Sequence, residues 1–300
     1  MIYTITMNPA LDYVVDLPEF KTGTVNRASQ EHIFYGGKGI NVAVVLKELG
    51  FSSCNLGFIA GFTGKKFKRG VEAMKIESDF IEVEKGLTRI NVKIHSQQET
   101  ELNGLGPIID ETALKQLFKQ LEQLQANDVL ILSGSVPASL DQNIYQEIIK
   151  YVSEKEVKVV VDATGDLLVK TLKYRPFLIK PNNHELAQIF NVELTSIEET
   201  IKYAYKLQEM GAVNVLISMA KDGSLLIDEH GKCHRMGVCQ GTVKNSVGAG
   251  DSMVAGFVAG CLLNYDYLET LKLATACGGA TAFSHGLATK DKIDELIKQL

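Results

Sequence analysis

The chain predicts an α/β fold: a doubly wound, mainly parallel sheet flanked by helices, with a small β-sheet lid. Three observations carry this. Strand-like and helix-like segments alternate nearly from end to end, and repeated β-α units close into a parallel sheet with right-handed crossovers. The strand-like runs of the second half are continuously apolar and β-branched, the pattern of strands covered on both faces. Residues 11–35 and 89–103 break the rhythm with strand-like segments that no helix separates, and these would form the lid.

Taken in order, residues 2–7 open as a strand. Asp12 and Asp16 share one face of the next strand-like segment as i and i+4. Residues 40–49 have a helical period and end at Gly50, a helix-terminating glycine, and residues 55–59 form a short apolar strand. Residues 89–95 alternate polar and apolar, turn at 96–98 and return along 99–103 as a hairpin. An amphipathic helix spans 110–125 with Asp110 as its N-cap. Residues 128–133, 158–162, 177–180 and 213–218 read as buried parallel strands. Helices intervene at 142–152, 183–190 and 197–210, the last opening with Ser196 and Glu199 in capping-box spacing. Residues 252–263 are apolar enough for a fully buried helix. No composition shift, linker or repeat divides the chain, so one domain spans 1–300, with ligands beyond the carboxyl ends of its strands.

Composition narrows the function. With 300 residues, 45% hydrophobic, 22% charged and a formal charge of −5, the chain is an ordinary soluble sequence. It lacks the basic face that nucleic acid or an anionic membrane would require. Five scattered cysteines show no C-x-x-C pair or zinc spacing, and read as reduced thiols. The apolar residues 1–7 are too short for a signal peptide, and no run of about 18 apolar residues exists. The expected location is the cytoplasm.

Two motifs carry chemistry. In Asn245-Ser-Val-Gly-Ala-Gly-Asp251 the small residues Gly248, Ala249 and Gly250 let backbone amides converge on a phosphate-sized anion. The buried helix behind them adds its positive dipole end. Asp251, in the first turn, is placed to take a proton from an attacking hydroxyl, or simply to cap the helix. Gly36-Gly-Lys-Gly-Ile-Asn-Val-Ala43 follows a strand and opens a helix. It is neither a Walker A loop nor a G-x-G-x-x-G dinucleotide fingerprint.

Together these motifs, in this order and separation, resemble the two signatures of the ribokinase/PfkB family of carbohydrate kinases. Residues 8–12, 88–92, 101–107, 132–137, 180–185 and 218–223 resemble further family blocks, so the similarity covers essentially the whole chain. It is strongest to the branch that phosphorylates ketohexose phosphates. The resemblance implies a ribokinase-like fold and ATP-dependent phosphoryl transfer with Mg²⁺. The favoured substrate is fructose 1-phosphate and the alternative tagatose 6-phosphate; a non-catalytic nucleotide- or sugar-phosphate-binding protein is the remote third reading.

By resemblance Asp251 is the base and residues 248–250 the anion hole. Asp12 would accept bonds from sugar hydroxyls, with Gly37, Asn41, Asn103 and Ser135 also on the substrate. Lys38 and Arg89 would hold the phosphate already present, a task suited to arginine's fork. Arg27 is a weaker candidate. On the nucleotide side stand Lys180, Asn182, Ser218, Gly223, Ser246, Ser284 and Gly286. Glu185 completes N-x-x-E with Asn182 and would act on Mg²⁺ through water; both residues also suit a helix start. Asn245-Ser246 stands where many members carry Asp-Thr, which weakens the implied monovalent-cation site. The six histidines show no metal or triad spacing. The lid's apolar outer face, including Tyr13 and Val15, predicts a homodimer in which two lids pack together.

Overall fold

The computed structural model describes residues 1–300. The first half comprises β1 (Ile2–Thr6), β2 (Ala10–Asp16), β3 (Gln30–Gly36), α1 (Lys38–Glu48), β4 (Cys54–Ala60), α2 (Gly61–Ala73), β5 (Glu77–Val83), β6 (Arg89–His95), β7 (Thr100–Asn103) and α3 (Glu111–Leu121). The second comprises β8 (Val129–Ser133), α4 (Ile144–Val152), β9 (Lys158–Asp162), α5 (Gly165–Val169), β10 (Leu178–Ile179), α6 (Asn183–Phe190), α7 (Ile197–Glu209), β11 (Asn214–Ser218), β12 (Ser224–Ile227), β13 (Cys233–Met236), α8 (Ala249–Leu262), α9 (Tyr267–Ala282) and α10 (Lys290–Ile297).

Nine strands form one sheet in the order β13-β12-β11-β10-β9-β8-β1-β4-β5. Every pairing from β5 to β11 is parallel, and β12 and β13 close one edge as an antiparallel hairpin. Alternating side chains fill the two faces. Ile5, Leu132 and Val161 pack with residues of α3, α4, α6 and α7. Ile2, Ile131 and Val160 pack with α1, α8, α9 and α10. Strand parity then places Thr6, Ser133 and Asp162 on this second face, at the carboxyl edge. There the apolar face gives way to a polar rim beneath the N-termini of α1 and α8.

A separate four-stranded sheet has the order β3-β2-β6-β7. Its register aligns Asp12 with Phe34 and Asn91 in one row, and Tyr13 with Ile33 and Val92 in the next. Successive rows face opposite sides. One face thus carries Asp12, Asn91 and Lys93, and the other Leu11, Tyr13, Ile33, Ile90, Val92 and Leu102. Leu11 and Tyr35 pack on the main body against Phe67. Tyr13 and Val15 are half-buried, whereas Ile33 and Leu102 remain 51% and 60% exposed.

Several elements depart from expectation. β10 has two ladder residues rather than four, and α3 stops at Leu121. Ser196 accepts from Glu199 N, but the Glu199 carboxylate turns to Thr195 N at 2.7 Å, so the capping box is only half formed. Helices α2, α5, α9 and α10, strand β5 and the β12–β13 hairpin were not anticipated. α2 carries three glycines, which lower helix propensity. α9 is buried nearly all round, so its sequence shows no amphipathic stripe. No helix is long and apolar enough to cross a membrane.

Candidate active site

Two helix starts, of α1 and α8, and two strand ends, of β9 and β10, converge on Asp162. This side chain is 1% exposed. One carboxylate oxygen lies 3.0 Å from Lys38 Nζ at the start of α1, the other 3.3 Å from Lys180 Nζ just past β10. Burial pushes the Asp162 carboxyl up, but the Lys180 and Lys38 ammoniums outweigh it and hold the group below its ordinary range. Burial works against the Lys38 charge too, and the facing Asp162 and then Asp251 carboxylates more than offset it, so its pKa is raised.

Asp251 belongs to the first turn of α8 and is 5% exposed. Asn41 Nδ2 of α1 donates to its Oδ2 at 2.8 Å. Burial, and then the neighbouring Asp162 charge, raise its pKa from 3.8 to about 6, against opposing pulls from Lys38, Asn41 and Lys180. The amides of Gly250 and Asp251 meet no acceptor within the protein; the first helical bond of this turn is Ser252 N to Gly248 O at 2.9 Å. Those free amides and the dipole suit an anion. A Cβ on Gly250 would lie 2.8 Å from Lys180 Nζ, so glycine is what lets the ammonium rest against this backbone.

A cavity of about 610 Å³ opens beside the cluster, lined by Gly37, Lys38, Arg89, Ser135 and Asp162 among others. Arg89 Nε donates to Asn8 O at 3.1 Å; burial lowers its pKa while Asp12 opposes. Thr6 Oγ1, Asn8 Oδ1 and Ser133 Oγ belong to cavity-lining residues and are buried without a hydrogen-bond partner. Unpaired buried polar atoms beside Lys38, Arg89 and Lys170 fit a polar, anionic occupant.

The remaining candidates are more dispersed. Asp12, on the small sheet, accepts from Asn91 Nδ2 at 2.8 Å and faces Lys93 Nζ at 3.8 Å, and Asn103 sits opposite Asn91. Asn182 and Glu185 form a reciprocal capping box: Glu185 N donates to Asn182 Oδ1, and Asn182 N to Glu185 Oε2, both at 2.8 Å. The structural reading of this motif is thus realised. Glu185 Oε1 has no protein hydrogen bond, and one outer carboxylate fits a hydrated Mg²⁺, which relies on few protein ligands. No cage of three or more His, Cys, Asp or Glu is present.

Ser218 bridges to Asn182, and Gly223 closes a tight turn at φ 86°. Ser246 O accepts from Ala249 N, and Ser284 and Gly286 lie in the turn after α9. No hydrogen bond or ion pair joins Gly223, Ser246, Ser284, Gly286 or the exposed-loop Arg27 to the ionic cluster. Sequence reasoning missed Asp162 together with Thr6, Asn8, Ser133 and Asn91. Its one available signal was a carboxylate ending the wholly apolar strand Val159-Val-Val-Asp162 at the carboxyl edge of a parallel sheet.

Residues 2–294 match the family described as pfkB family carbohydrate kinase. A relative from Bacillus subtilis (strain 168) named 1-phosphofructokinase is 42% identical over 300 residues, covering 100% of this chain and 98% of its own. D-tagatose-1-phosphate kinase of Bacillus licheniformis is 38% identical over 301 residues, covering 100% and 98%. The crystal structure of phosphofructokinase-2 from Escherichia coli in complex with substrates and products superposes with a TM-score of 0.94 at 26% identity, covering 100% and 99%.

Proposed function

The chain belongs to the pfkB family of carbohydrate kinases, and from that premise we propose that it transfers the γ-phosphoryl group of ATP to the 6-hydroxyl of fructose 1-phosphate, yielding fructose 1,6-bisphosphate. The observation that carries this reading is a carboxylate raised to about 6 beside free helix-start amides, next to a cavity lined by the cations Lys38, Arg89 and Lys170. A free sugar would bring no anion to Arg89, whose guanidinium has no ion pair within the chain, or to the exposed side of Lys38.

Lys38 and Arg89 bind the substrate's phosphate, and Asp12 accepts from ring hydroxyls. The 6-hydroxyl then faces Asp251, which is about nine-tenths ionised at pH 7 and takes the proton as the oxygen attacks. The amides of residues 248–250 hold the charge that develops on the transferred group once Ala249 N leaves Ser246 O, with Lys180 against Gly250 adding a cation. Asn182, Ser218, Gly223, Ser246, Ser284 and Gly286 border the nucleotide. Glu185 would hold Mg²⁺ through water, and the ion would supply charge neutralisation.

The chain works as one domain whose four-stranded sheet is the lid, in the cytoplasm, as a homodimer. The support for the dimer is the apolar outer row with exposed Ile33 and Leu102.

A second reading takes tagatose 6-phosphate as substrate, supported by a Staphylococcus epidermidis relative named tagatose-6-phosphate kinase at 33% identity over 307 residues. A ketofuranose carries a CH₂–O arm on both C2 and C5, so 1- and 6-phosphates of fructose and tagatose present similar outlines. Hydroxyl contacts then decide. ADP release measured with fructose 1-phosphate, tagatose 1-phosphate, tagatose 6-phosphate, fructose 6-phosphate and free fructose separates the readings. The highest kcat/KM should fall on fructose 1-phosphate. A tagatose phosphate leading would exchange the two, and no ADP release with any sugar would leave a binding protein.

A further inference from the structure

Lys38 and Lys180 sit on opposite sides of the reaction as read above, one toward the sugar phosphate and one toward the nucleotide. A single buried carboxylate joins them, Asp162 Oδ2 to Lys38 Nζ at 3.0 Å and Oδ1 to Lys180 Nζ at 3.3 Å. The contacts continue from there. Lys180 Nζ lies against the Gly250 backbone, Gly250 precedes Asp251, and Asp251 Oδ2 accepts from Asn41 one turn after Lys38 on α1. The result is a closed ring that ties the start of α1 to the start of α8 through the end of β9.

We infer that Asp162 is the positioning residue of this active site: it fixes both lysines and the α1–α8 spacing, and sets the charge that the Asp251 carboxylate feels. The inference rests on the kinase reading and deepens it. Lys180 is 5% exposed on its side chain and Asp162 2%, so neither is held by solvent and each needs the other. Lys38, at 37%, has room to swing to a phosphate while Asp162 keeps Lys180 in place. The electrostatics have a definite sign. Asp251 faces Asp162 of β9, Lys38 and Asn41 of α1 and Lys180 after β10; Glu185 of α6 acts on Lys38. Among these, Asp162 is the one negative neighbour that raises Asp251. Neutralising it removes that push and also leaves two ammoniums less compensated. Both changes favour the ionised base.

The test compares Asp162→Asn with Asp162→Glu, using ATP and fructose 1-phosphate. The asparagine variant should lose at least tenfold in kcat, because the lysines and the anion hole are no longer held in register. The acid limb of its kcat/KM profile should move down by about 1 pH unit. The glutamate variant should keep the wild-type limb and recover part of kcat. A carboxylate that served only to fill space would lower activity without moving the limb. An Asp162→Asn profile superimposable on wild type, or an equal shift in the glutamate variant, overturns the inference. If Asp162→Asn does not fold, Lys38→Met and Lys38→Met/Asp162→Asn carry the test. The single change should move the limb up, and adding the second should bring it back down; no return overturns the inference. A wild-type protein without turnover on any ketohexose phosphate would instead strike the kinase reading itself.

Discussion

Replacing Asp251 by asparagine should abolish turnover and yet make the protein more stable. Burial, followed by the Asp162 charge, raises this carboxyl from 3.8 to about 6. An acid that binds its proton more tightly in the fold favours folding at low pH, and that advantage is lost as pH climbs from the unfolded value, near 4, through the folded value, near 6. Above pH 6 the folded protein therefore holds an ionised Asp251 at a cost. The difference, 6 minus 3.8, at 1.36 kcal/mol per unit, comes to about 3 kcal/mol. Asparagine keeps the shape, carries no charge and still accepts from Asn41, so it should release that cost at pH 7 and gain nothing near pH 4. With an unfolding entropy of about 2.1 cal/mol/K per residue, 3 kcal/mol corresponds to a rise in Tm of about 5 °C for a chain of 300 residues. The assay is thermal unfolding of both proteins at pH 7 and pH 4, with ATP-dependent turnover on the same preparations. Turnover should fall by orders of magnitude. A variant no more stable than wild type at pH 7, or equally stabilised at both pH values, would falsify the argument that burial strains the base.

Other outcomes follow from the same geometry. In the wild type, kcat/KM should fall about tenfold per unit below roughly pH 6, as Asp251 takes up its proton. Arg89→Ala and Lys38→Ala should raise KM for fructose 1-phosphate roughly tenfold to a hundredfold, since a charge pair broken by truncation costs about 2–5 kcal/mol before solvent screening. The KM for ATP should move far less with Arg89→Ala, and the opposite pattern would mean the two ends of the site are reversed. Gly57→Ala should lower Tm by several degrees, because Gly57 has φ 146° and its added Cβ would meet Thr6 O at 2.1 Å. Light scattering should report a dimer that Ile33→Asp or Leu102→Asp dissociates; a wild-type monomer at working concentration counts against the lid-to-lid contact.

The parts of this molecule legible in its sequence are those governed by short-range rules. Buried parallel strands such as β8 and β9 announce themselves because both faces are covered, and Asp110 and Asn182 cap their helices where hydrogen-bonding chemistry says they should. The breaks in the β-α rhythm fell on the strands of the small sheet. What stayed hidden depends on assembly. α9 has no stripe because it is packed nearly all round, and β12 and β13 are short strands whose pairing decides their state. Asp162 was overlooked because a lone aspartate after Val161 looks like any strand end. Only the sheet order, which sets β9 beside β8 and β10, brings it between two lysines that lie 142 positions apart in the chain.

The small sheet is joined to the main body by four strands of chain, and their contents have a mechanical consequence. The links are residues 7–9, Gly37, residues 84–88 and residues 104–110. Three of them contain a glycine at positive φ: Gly37, Gly86 and Gly106. The first contains Asn8, whose amide nitrogen donates to Leu105 O in the fourth, and Arg89 follows directly on the third with its guanidinium bonded to Asn8 O. Any rocking of the sheet must be absorbed at these joints, so the groups that line the cavity are also the bearings on which it would turn. A molecule that gripped Arg89 and Asn8 would therefore clamp the joints themselves, and its capture would be coupled to the position of the sheet.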